Sequence, residues 1–333
     1  MTSKLASCLL SKLSEPQATA LNKVTIVGCG DVGIACAVTL LTQRVTHNIC
    51  LLDVDEAKVQ GEISDLLHGS KFLEYPTIVG GRDVALSINS RLIIVTAGVR
   101  QKEGEPRLEL AQRNADLMKA IIPDLVKFSP NAILLIVTNP VDVMTFVAWK
   151  ISGLPRHKVI GSGTNLDSSR FRFLLSQKLG VSPKSVHGWI IGEHGDQSVA
   201  IWSGINVGSV NLKDINPDIG QNNDPEKFGK IHEQVVSAAY EVIKLKGYTN
   251  WAIGLSCSDI VKKIFSNSNA VLPLSVLAEG QQGIDVEVYL SLPCVVNASG
   301  VTHIVKTMLT VEEKGKLKKS AASIFKVQSE LKL

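Results

Sequence analysis

A glycine-rich turn between an apolar run and an alanine-rich segment constrains the fold of this chain more than any other feature. Val24 to Val27 is followed by Gly28-Cys29-Gly30-Asp31-Val32-Gly33, and the helical stretch Ile34 to Leu41 comes next. In such a unit the first glycine permits a tight turn, the second lets the backbone approach a pyrophosphate, and the third allows close helix–strand packing. The helix N-terminus also favours phosphate charge. The pattern predicts a dinucleotide-binding unit, and its alternative is an ordinary glycine-rich turn.

A carboxylate follows the second apolar run and indicates which dinucleotide binds. Ile49 to Leu52 ends in Asp53, twenty residues beyond Gly33. A carboxylate at that place accepts hydrogen bonds from the adenosine ribose hydroxyls. Asp53 would repel a 2′-phosphate, and Val54 beside it offers no arginine to bind one. The predicted cofactor is therefore NAD.

Strand-like and helical segments alternate along the first half of the chain. Strand-like runs recur at 24–27, 49–53, 77–79, 91–96, 132–137 and 158–160. Helical periodicity fills Lys58 to Leu67 and Leu108 to Lys127, where Pro123 predicts a kink. The alternation predicts an α/β fold in which a Rossmann-type, doubly wound parallel sheet spans residues 21–162. A mixed α+β substrate domain is expected over 163–333, and residues 1–20 form an N-terminal arm.

Composition argues against several classes of partner. The net charge of +4 is modest, and the lysines are not gathered with aromatic residues, so nucleic-acid binding is not expected. No segment has the roughly 18 consecutive apolar residues of a membrane helix. The six cysteines lack the spacing of metal ligands or of a disulfide framework, which favours a reducing compartment. The first 16 residues lack the apolar core of an export signal, and a cytoplasmic location is predicted. Their lack of arginine argues against a mitochondrial transit peptide, although their serines and alanines leave that alternative open.

A histidine between two glycines and two carboxylates is a candidate for proton transfer. The run Gly192-Glu193-His194-Gly195-Asp196 separates the apolar stretches Val186 to Ile191 and Val199 to Ile205. An imidazole has a pKa of roughly 6.5, so both of its protonation states are accessible at neutral pH. The alternative is a polar turn between two strands.

The segment Asn165 to Arg172 brings an acid and an arginine to one side of a predicted helix. Asp167 and Arg170 are three residues apart and can face the same cleft. An aspartate bonded to a histidine fixes its tautomer and stabilises the imidazolium, and an arginine fork matches a substrate carboxylate. The alternative is an ion pair on a helix surface.

A polar, glycine-containing segment follows the strand-like run Leu92 to Thr96. The stretch from about 98 to 110 is too long for a simple strand–helix turn and is typical of a mobile lid. On closure it would carry the positive charge of Arg107 onto a polarised carbonyl in a site without water. The alternative is a solvated loop with scattered charges.

Together these motifs resemble the L-lactate dehydrogenase family, within the lactate and malate dehydrogenase superfamily, over about residues 20–330. Further matching segments are Thr96-Ala97-Gly98, Thr138-Asn139-Pro140 and Gly247-Tyr248-Thr249-Asn250-Trp251. The sequence departs from the usual family pattern at Pro106, where serine or threonine is common, and at Ala200, where proline is common. Pro106 restricts the backbone of the lid, whereas neither change removes a catalytic group.

The resemblance implies a role for each matching residue. His194 would donate and accept the proton, Asp167 would orient the His194 imidazole, and Arg170 would bind the substrate carboxylate. Arg107 would polarise the carbonyl. The remaining substrate-binding residues would be Asn139, Gln101 and Thr249. The cofactor would contact Gly28, Gly30, Gly33, Asp53, Thr96, Ala97, Gly98, Arg100, Asn139 and Ile253.

The implied reaction is the reversible, NAD-dependent interconversion of L-lactate and pyruvate. Gln101 would face the variable end of the substrate, and its neutral amide cannot pair a second carboxylate, which favours pyruvate over oxaloacetate. A malate dehydrogenase with the same machinery and a catalytically idle NAD-binding structural protein are the alternatives.

The resemblance also implies an assembly. The family is usually a homotetramer, and the leucines of the N-terminal arm would pack on a neighbouring subunit. Arg172 and His187 match positions that bind an allosteric sugar phosphate in some bacterial relatives. They could form an anion site at a subunit interface.

Overall fold

The computed structural model describes residues 22–99 and 107–333, and of Arg107 only the backbone. Several predictions fall outside these residues. They concern the N-terminal arm, Arg100, Gln101, Pro106, the side chain of Arg107 and the central part of the predicted lid.

The first half of the chain is built from alternating strands and helices. The elements are β1 (Val24–Val27), α1 (Asp31–Thr42), β2 (Asn48–Leu52), α2 (Glu56–His68), β3 (Thr77–Gly81), β4 (Leu92–Val95), α3 (Arg107–Phe128), β5 (Ile133–Ile136), α4 (Val141–Ser152) and β6 (Val159–Gly161). The strands are parallel and lie in the order β3-β2-β1-β4-β5-β6. The chain reverses its direction of travel across the sheet between β1 and β4, and open α/β sheets bind ligands outside the carboxyl ends of the strands at this point. The doubly wound prediction is confirmed.

Burial explains why these segments form strands. Every residue of β1, β2, β4 and β5 is buried, as expected for parallel strands covered by helices on both faces. The covering helix α3 places Ala111, Met118 and Ile122 at zero exposure on one face. It continues through Pro123 as one element to Phe128.

The second half contains five short strands, three longer strands and five helices. They are α5 (Asn165–Leu179), β7 (Val186–His187), β8 (Ile190–Gly192), β9 (Ser198–Ala200), β10 (Asn206–Val207), β11 (Val210–Asn211), α6 (Leu212–Ile215), α7 (Gly229–Lys246), α8 (Trp251–Phe265), β12 (Ala270–Leu277), β13 (Tyr289–Asn297), β14 (Gly300–Ile304) and α9 (Val311–Ser329). Short 3-10 turns connect several of them. All eight residues of β12 pair antiparallel with β13.

The sheet does not stop at β6. Within the described residues it continues through β12, β13, β8 and β9, and β14 pairs with β13. The junction is a single residue pair, Gly161 with Ser275. A separate three-stranded sheet has the order β11-β10-β7. The parallel half and the mixed half therefore share one sheet.

Close packing of two helices also joins the halves. A Cβ atom on Gly254 in α8 would lie 2.8 Å from the main-chain carbon and oxygen of Ala35 in α1. The Thr39 hydroxyl donates to the carbonyl of Gly254 at 2.9 Å. The helix that follows the glycine turn is thus fixed to the helix that carries Ile253.

Three further observations bear on the compositional predictions. The described cysteines, Cys29, Cys36, Cys50, Cys257 and Cys294, are free and buried. In residues 22–99 and 107–333, no helix is both long and apolar enough to cross a membrane. The same part of the chain contains no group of three or more histidines, cysteines or acids that could hold a metal ion.

Candidate active site

The turn between β8 and β9 holds the histidine of the candidate site. Gly192, at the end of β8, has a φ of +82°, and a Cβ atom on it would lie 2.8 Å from the Ser320 hydroxyl of α9. A residue with a side chain would be strained there and would collide with α9. His194 follows two residues later with its side chain 27% exposed, so one side of the imidazole is accessible.

Asp167 on α5 binds the histidine. Its Oδ2 lies 2.5 Å from His194 Nδ1, and its Oδ1 accepts a hydrogen bond from Arg170 Nη1 at 2.9 Å. This partner holds the proton of neutral His194 on Nδ1 and leaves Nε2 for proton exchange. The two sequence motifs predicted to share a cleft are therefore in direct contact.

The electrostatics of this cluster favour a charged pair. The Asp167 carboxylate raises the pKa of His194, although burial of the imidazole opposes it. Burial alone would raise the pKa of Asp167, but His194 and Arg170 together hold it below its usual value. Asp167 is thus ionised at neutral pH, and the protonated form of His194 is stabilised.

A second carboxylate, which the sequence analysis missed, holds the backbone of the histidine. The His194 N–H donates to Asp142 Oδ2 at 2.8 Å, and the Ser275 hydroxyl donates to Asp142 Oδ1 at 2.6 Å. Burial raises the pKa of Asp142 to about 6, although both hydrogen bonds lower it. The available signal was an acid within the otherwise apolar start of α4.

The C-terminal helix fixes the residue before the histidine. The Glu193 N–H donates to the Ser320 hydroxyl of α9 at 2.8 Å. Consecutive amides of the turn are therefore anchored to α9 and to α4.

Of the described residues predicted to bind substrate, Arg170 belongs to this cluster, and Asn139 and Thr249 lie on other segments. Arg170 is 19% exposed, and a guanidinium with five donors can bind a carboxylate through an edge other than the one facing Asp167. Asn139 follows β5, and its main-chain oxygen accepts a hydrogen bond from Asn114 at 2.8 Å. Thr249 lies partly buried just before α8.

The glycine turn has the form that a dinucleotide requires. Gly28 has a φ of +97°, and its Cβ would lie 2.6 Å from the Ala97 nitrogen. A Cβ on Gly33 would lie 1.9 Å from the Gly28 oxygen, whereas a Cβ on Gly30 would have no atom within 4 Å. The first and third glycines fix the turn, and the second leaves open space in front of the α1 N-terminus.

Asp53 lies directly against that turn. Its Oδ2 accepts a hydrogen bond from the Cys29 N–H at 2.7 Å, and its Oδ1 accepts one from the Asp55 N–H at 3.1 Å. Each carboxylate oxygen has two lone pairs, so both can accept further hydrogen bonds from ribose hydroxyls.

Comparisons with known proteins agree with this geometry. Residues 22–161 match the NAD binding domain of lactate/malate dehydrogenase, and residues 164–331 match its alpha/beta C-terminal domain. The chain belongs to the lactate/malate dehydrogenase family. NAD is its cofactor, and the glycine turn with Asp53 fits that molecule.

Curated members of the family are similar over nearly the whole chain. The L-lactate dehydrogenase B-B chain of Danio rerio is 54% identical over 332 residues, covering 100% of this chain and 99% of the relative. The L-lactate dehydrogenase A chain of Xenopus laevis is 53% identical, with 99% and 98% covered. The human L-lactate dehydrogenase B chain is 51% identical, with 97% of both chains covered.

Two further predicted cofactor-binding residues of this dehydrogenase, Thr96 and Ala97, bond to the chain at the same turn. The Thr96 hydroxyl donates to the Gly28 carbonyl at 2.8 Å, and the Ala97 N–H donates to the Val27 carbonyl at 2.8 Å. Gly98 comes next and is exposed. Ile253 is partly buried against the core from its position in α8.

The two residues of the suggested allosteric site have different surroundings in this dehydrogenase subunit. Arg172 Nε donates to the Gly188 carbonyl at 3.0 Å, and its guanidinium lies 4.3 Å from the Trp189 ring centre. Burial lowers the pKa of Arg172. His187 is exposed beside these two residues.

Proposed function

We propose that this chain is an L-lactate dehydrogenase that interconverts L-lactate and pyruvate. The observation that carries the proposal is the hydrogen-bonded cluster of His194, Asp167 and Arg170. It supplies a proton carrier, a charge that stabilises the carrier and a carboxylate-binding arginine. The names of the similar proteins from Danio rerio, Xenopus laevis and human support the same activity.

The proposed proton transfer follows from the tautomer of the histidine. In lactate oxidation neutral His194 accepts the hydroxyl proton at Nε2, and Asp167 stabilises the resulting imidazolium. In pyruvate reduction protonated His194 donates that proton to the carbonyl oxygen. NAD supplies the hydride acceptor in the first direction, and NADH supplies the hydride in the second.

Further residues bind and polarise the substrate in this proposal. Arg170 holds the carboxylate, Asn139 contacts the substrate oxygen, and Thr249 lines the pocket. Arg107 stabilises the charge that develops on the oxygen. Gln101 faces the substrate methyl group.

The cofactor-binding proposal is centred on the carboxyl ends of β1, β2 and β4. Asp53 accepts hydrogen bonds from the ribose hydroxyls, Arg100 approaches the pyrophosphate, and Ile253 packs on the nicotinamide ring. The backbone around the pyrophosphate and nicotinamide ribose comprises Gly28, Gly30, Gly33, Thr96, Ala97, Gly98 and Asn139.

At the level of the whole protein we propose a cytoplasmic homotetramer. Residues 21–162 form the NAD-binding domain, residues 163–333 form the substrate domain, and the arm of residues 1–20 packs on a neighbouring subunit. The family resemblance and the leucines of the arm, Leu5, Leu9, Leu10 and Leu13, support this assembly.

The direct test is a spectrophotometric assay of NADH loss with pyruvate and, in parallel, with oxaloacetate. We expect pyruvate to be preferred, and His194→Asn to lower turnover by several orders of magnitude while NADH still binds. A preference for oxaloacetate would assign malate dehydrogenase activity. NADH binding without turnover of either substrate would indicate a catalytically idle NAD-binding protein.

The predicted selectivity residue provides a second test. Gln101→Arg should shift the ratio of kcat/KM values towards oxaloacetate by at least about a hundredfold, corresponding to roughly 2.7 kcal/mol. The reason is that an arginine pairs the second carboxylate through two charge-assisted bonds, which a neutral amide cannot do. Parallel assays of wild type and variant with both substrates measure the shift. An unchanged ratio would remove Gln101 from this role.

A further inference from the structure

Asn114 is a buried amide that connects two strand ends without belonging to either. It lies on α3 and is 1% exposed. Its Oδ1 accepts a hydrogen bond from the Val99 N–H at 2.8 Å, and its Nδ2 donates to the Asn139 carbonyl at 2.8 Å. The partners determine the orientation of the amide, because an N–H requires an acceptor and a carbonyl requires a donor.

The strand ends that Asn114 joins are in close contact. The Thr138 hydroxyl donates to the Ala97 carbonyl at 2.7 Å. A Cβ atom on Gly98 would lie 2.6 Å from Thr138 Cγ2, so the segment after β4 runs directly against the segment after β5. Asn114 bonds to each segment at the next residue, Val99 after Gly98 and Asn139 after Thr138. The two segments and α3 therefore form one hydrogen-bonded unit.

Both bridged segments belong to the proposed site. Gly98 precedes Val99 and is proposed to contact the cofactor, whereas Asn139 is proposed to contact both cofactor and substrate. A rotation of the Asn139 peptide would move its side chain away from the substrate oxygen. Positioning errors of about 1 Å cost rate even when every reacting group is present.

We propose that Asn114 is a positioning residue of the dehydrogenase reaction. It holds the Asn139 main chain against Gly98 and Val99, so that the Asn139 side chain meets cofactor and substrate in one geometry. Asn114 acts through Asn139 and contacts neither cofactor nor substrate. The inference rests on the proposed function and deepens it.

The same helix provides a matched control at its other end. Ser129 follows α3 and is 2% exposed. Its hydroxyl donates to the Ser87 carbonyl at 2.7 Å and accepts from the Ser90 N–H at 2.9 Å. Ser129 thus makes two buried bonds from the end of α3 to the chain before β4, and the proposed site lies beyond the opposite end of β4. Ser129→Ala removes buried hydrogen bonds without touching either bridged segment.

The first test compares Asn114→Ala with Ser129→Ala. We expect kcat/KM for pyruvate to fall at least about tenfold in Asn114→Ala and to stay within about twofold of wild type in Ser129→Ala. Binding of oxamate, an unreactive isostere of pyruvate, to the enzyme–NADH complex should weaken by a similar factor in Asn114→Ala alone. Both variants should have a lower Tm than wild type, because each loses buried hydrogen bonds. Equal kinetic losses in the two variants would overturn the proposal.

Asn114→Asp gives a test that does not depend on stability. Aspartate has nearly the same shape, and its protonated form has both the donor and the acceptor that Val99 and Asn139 require. Its ionised form lacks the donor and repels the Asn139 carbonyl. The ratio of variant to wild-type kcat/KM should therefore rise at least about threefold as pH falls from 8 to 5.5. A ratio that does not change with pH would overturn the assignment.

Failure of the proposed function would remain distinguishable from failure of this inference. A wild-type protein inactive with pyruvate would refute the proposed substrate. The same three variants would then be compared with the substrate that the wild type accepts, and Ser129→Ala would remain the control.

Discussion

The two carboxylate oxygens of Asp167 contact His194 and Arg170. We expect the larger effect of Asp167 to be on the protonation of His194. Pyruvate reduction needs protonated His194, and the Asp167 carboxylate raises the pKa of this imidazole. In Asp167→Asn that pKa should fall, so the alkaline limb of kcat/KM for pyruvate should move to lower pH. The rate at neutral pH should drop by at least about a hundredfold, and pyruvate should bind less well.

Profiles of kcat/KM against pH in both directions measure this shift. The acidic limb of lactate oxidation, which needs neutral His194, should move the same way. Asp196→Asn, an exposed change in the same turn, is the control and should keep the wild-type limbs. If the pH profiles of Asp167→Asn and wild type had their limbs at the same pH, Asp167 would not control the protonation of His194.

Asp53 is expected to decide between the two nicotinamide cofactors. Its carboxylate favours free ribose hydroxyls and repels a 2′-phosphate, so Asp53→Ser should narrow the preference for NADH over NADPH. Asp53→Asn keeps an acceptor for the Cys29 N–H but removes the negative charge. It therefore distinguishes the repulsion of the 2′-phosphate from the loss of the hydrogen bond to Cys29. The measurement is the ratio of kcat/KM values for the two cofactors. If neither variant changes it, Asp53 does not set the preference.

Residues with a local signature could be found from the sequence, and residues with distant partners could not. Asp167 and Arg170 are three apart on one helix, and His194 is marked by its glycines and acids. Asp142 has no such mark, because its partner Ser275 lies 133 residues away in the chain. Asn114 likewise bonds to residues 15 and 25 positions away, on both sides of it in the sequence. Only the folded sheet brings these partners together.

At the level of elements, the contact between α1 and α8 gives a prediction about packing. Gly254→Ala would place a methyl group 2.8 Å from the Ala35 backbone, which cannot move without moving α1. We expect a loss of stability of about 1–3 kcal/mol, despite the better helix propensity of alanine, and weaker NADH binding. Gly61→Ala in α2 is the control, because a Cβ there meets no atom within 4 Å.

Thermal unfolding and NADH titration measure both effects. The control should be neutral or more stable by about 0.4–1 kcal/mol. If the two variants were equally stable, α1 and α8 could move apart without a loss of stability.

Element boundaries were predicted where local signals were strong. Strands β4 and β5 were found because each is a continuous apolar run. Helix α1 begins three residues earlier than expected, since its first turn is part of the glycine motif. Strands β12 and β13, which have eight and nine residues, were not located from the sequence. Each contains a proline, and Pro273 pairs with Pro293 across the ladder. Proline usually argues against a strand interior, because it cannot donate a hydrogen bond to the ladder. That both strands tolerate a proline could therefore not be predicted before their pairing was known.

At the scale of the whole molecule, the isolated subunit exposes large apolar side chains. Phe72, Tyr75 and Leu245 are 87%, 94% and 85% exposed. Association of subunits would remove such side chains from water wherever an interface covers them. The leucine-bearing arm should add to it, so deletion of residues 1–20 should weaken assembly. Sedimentation at decreasing protein concentration measures this. A truncated protein as tetrameric as the full chain at low concentration would contradict the role of the arm.

The anchoring of the histidine turn determines when the site can exist during translation. A chain leaves the ribosome from its N-terminus, and domains generally fold as units in that order. The six parallel strands and the glycine turn are made first, but Ser275 and Ser320, which fix Asp142 and Glu193, are made 133 and 127 residues after their partners. A nascent chain therefore has its glycine turn and Asp53 before the hydrogen bonds that fix its acid–base group can form. Because Ser320 lies in α9, the histidine turn is fully anchored only when nearly the whole chain has been made.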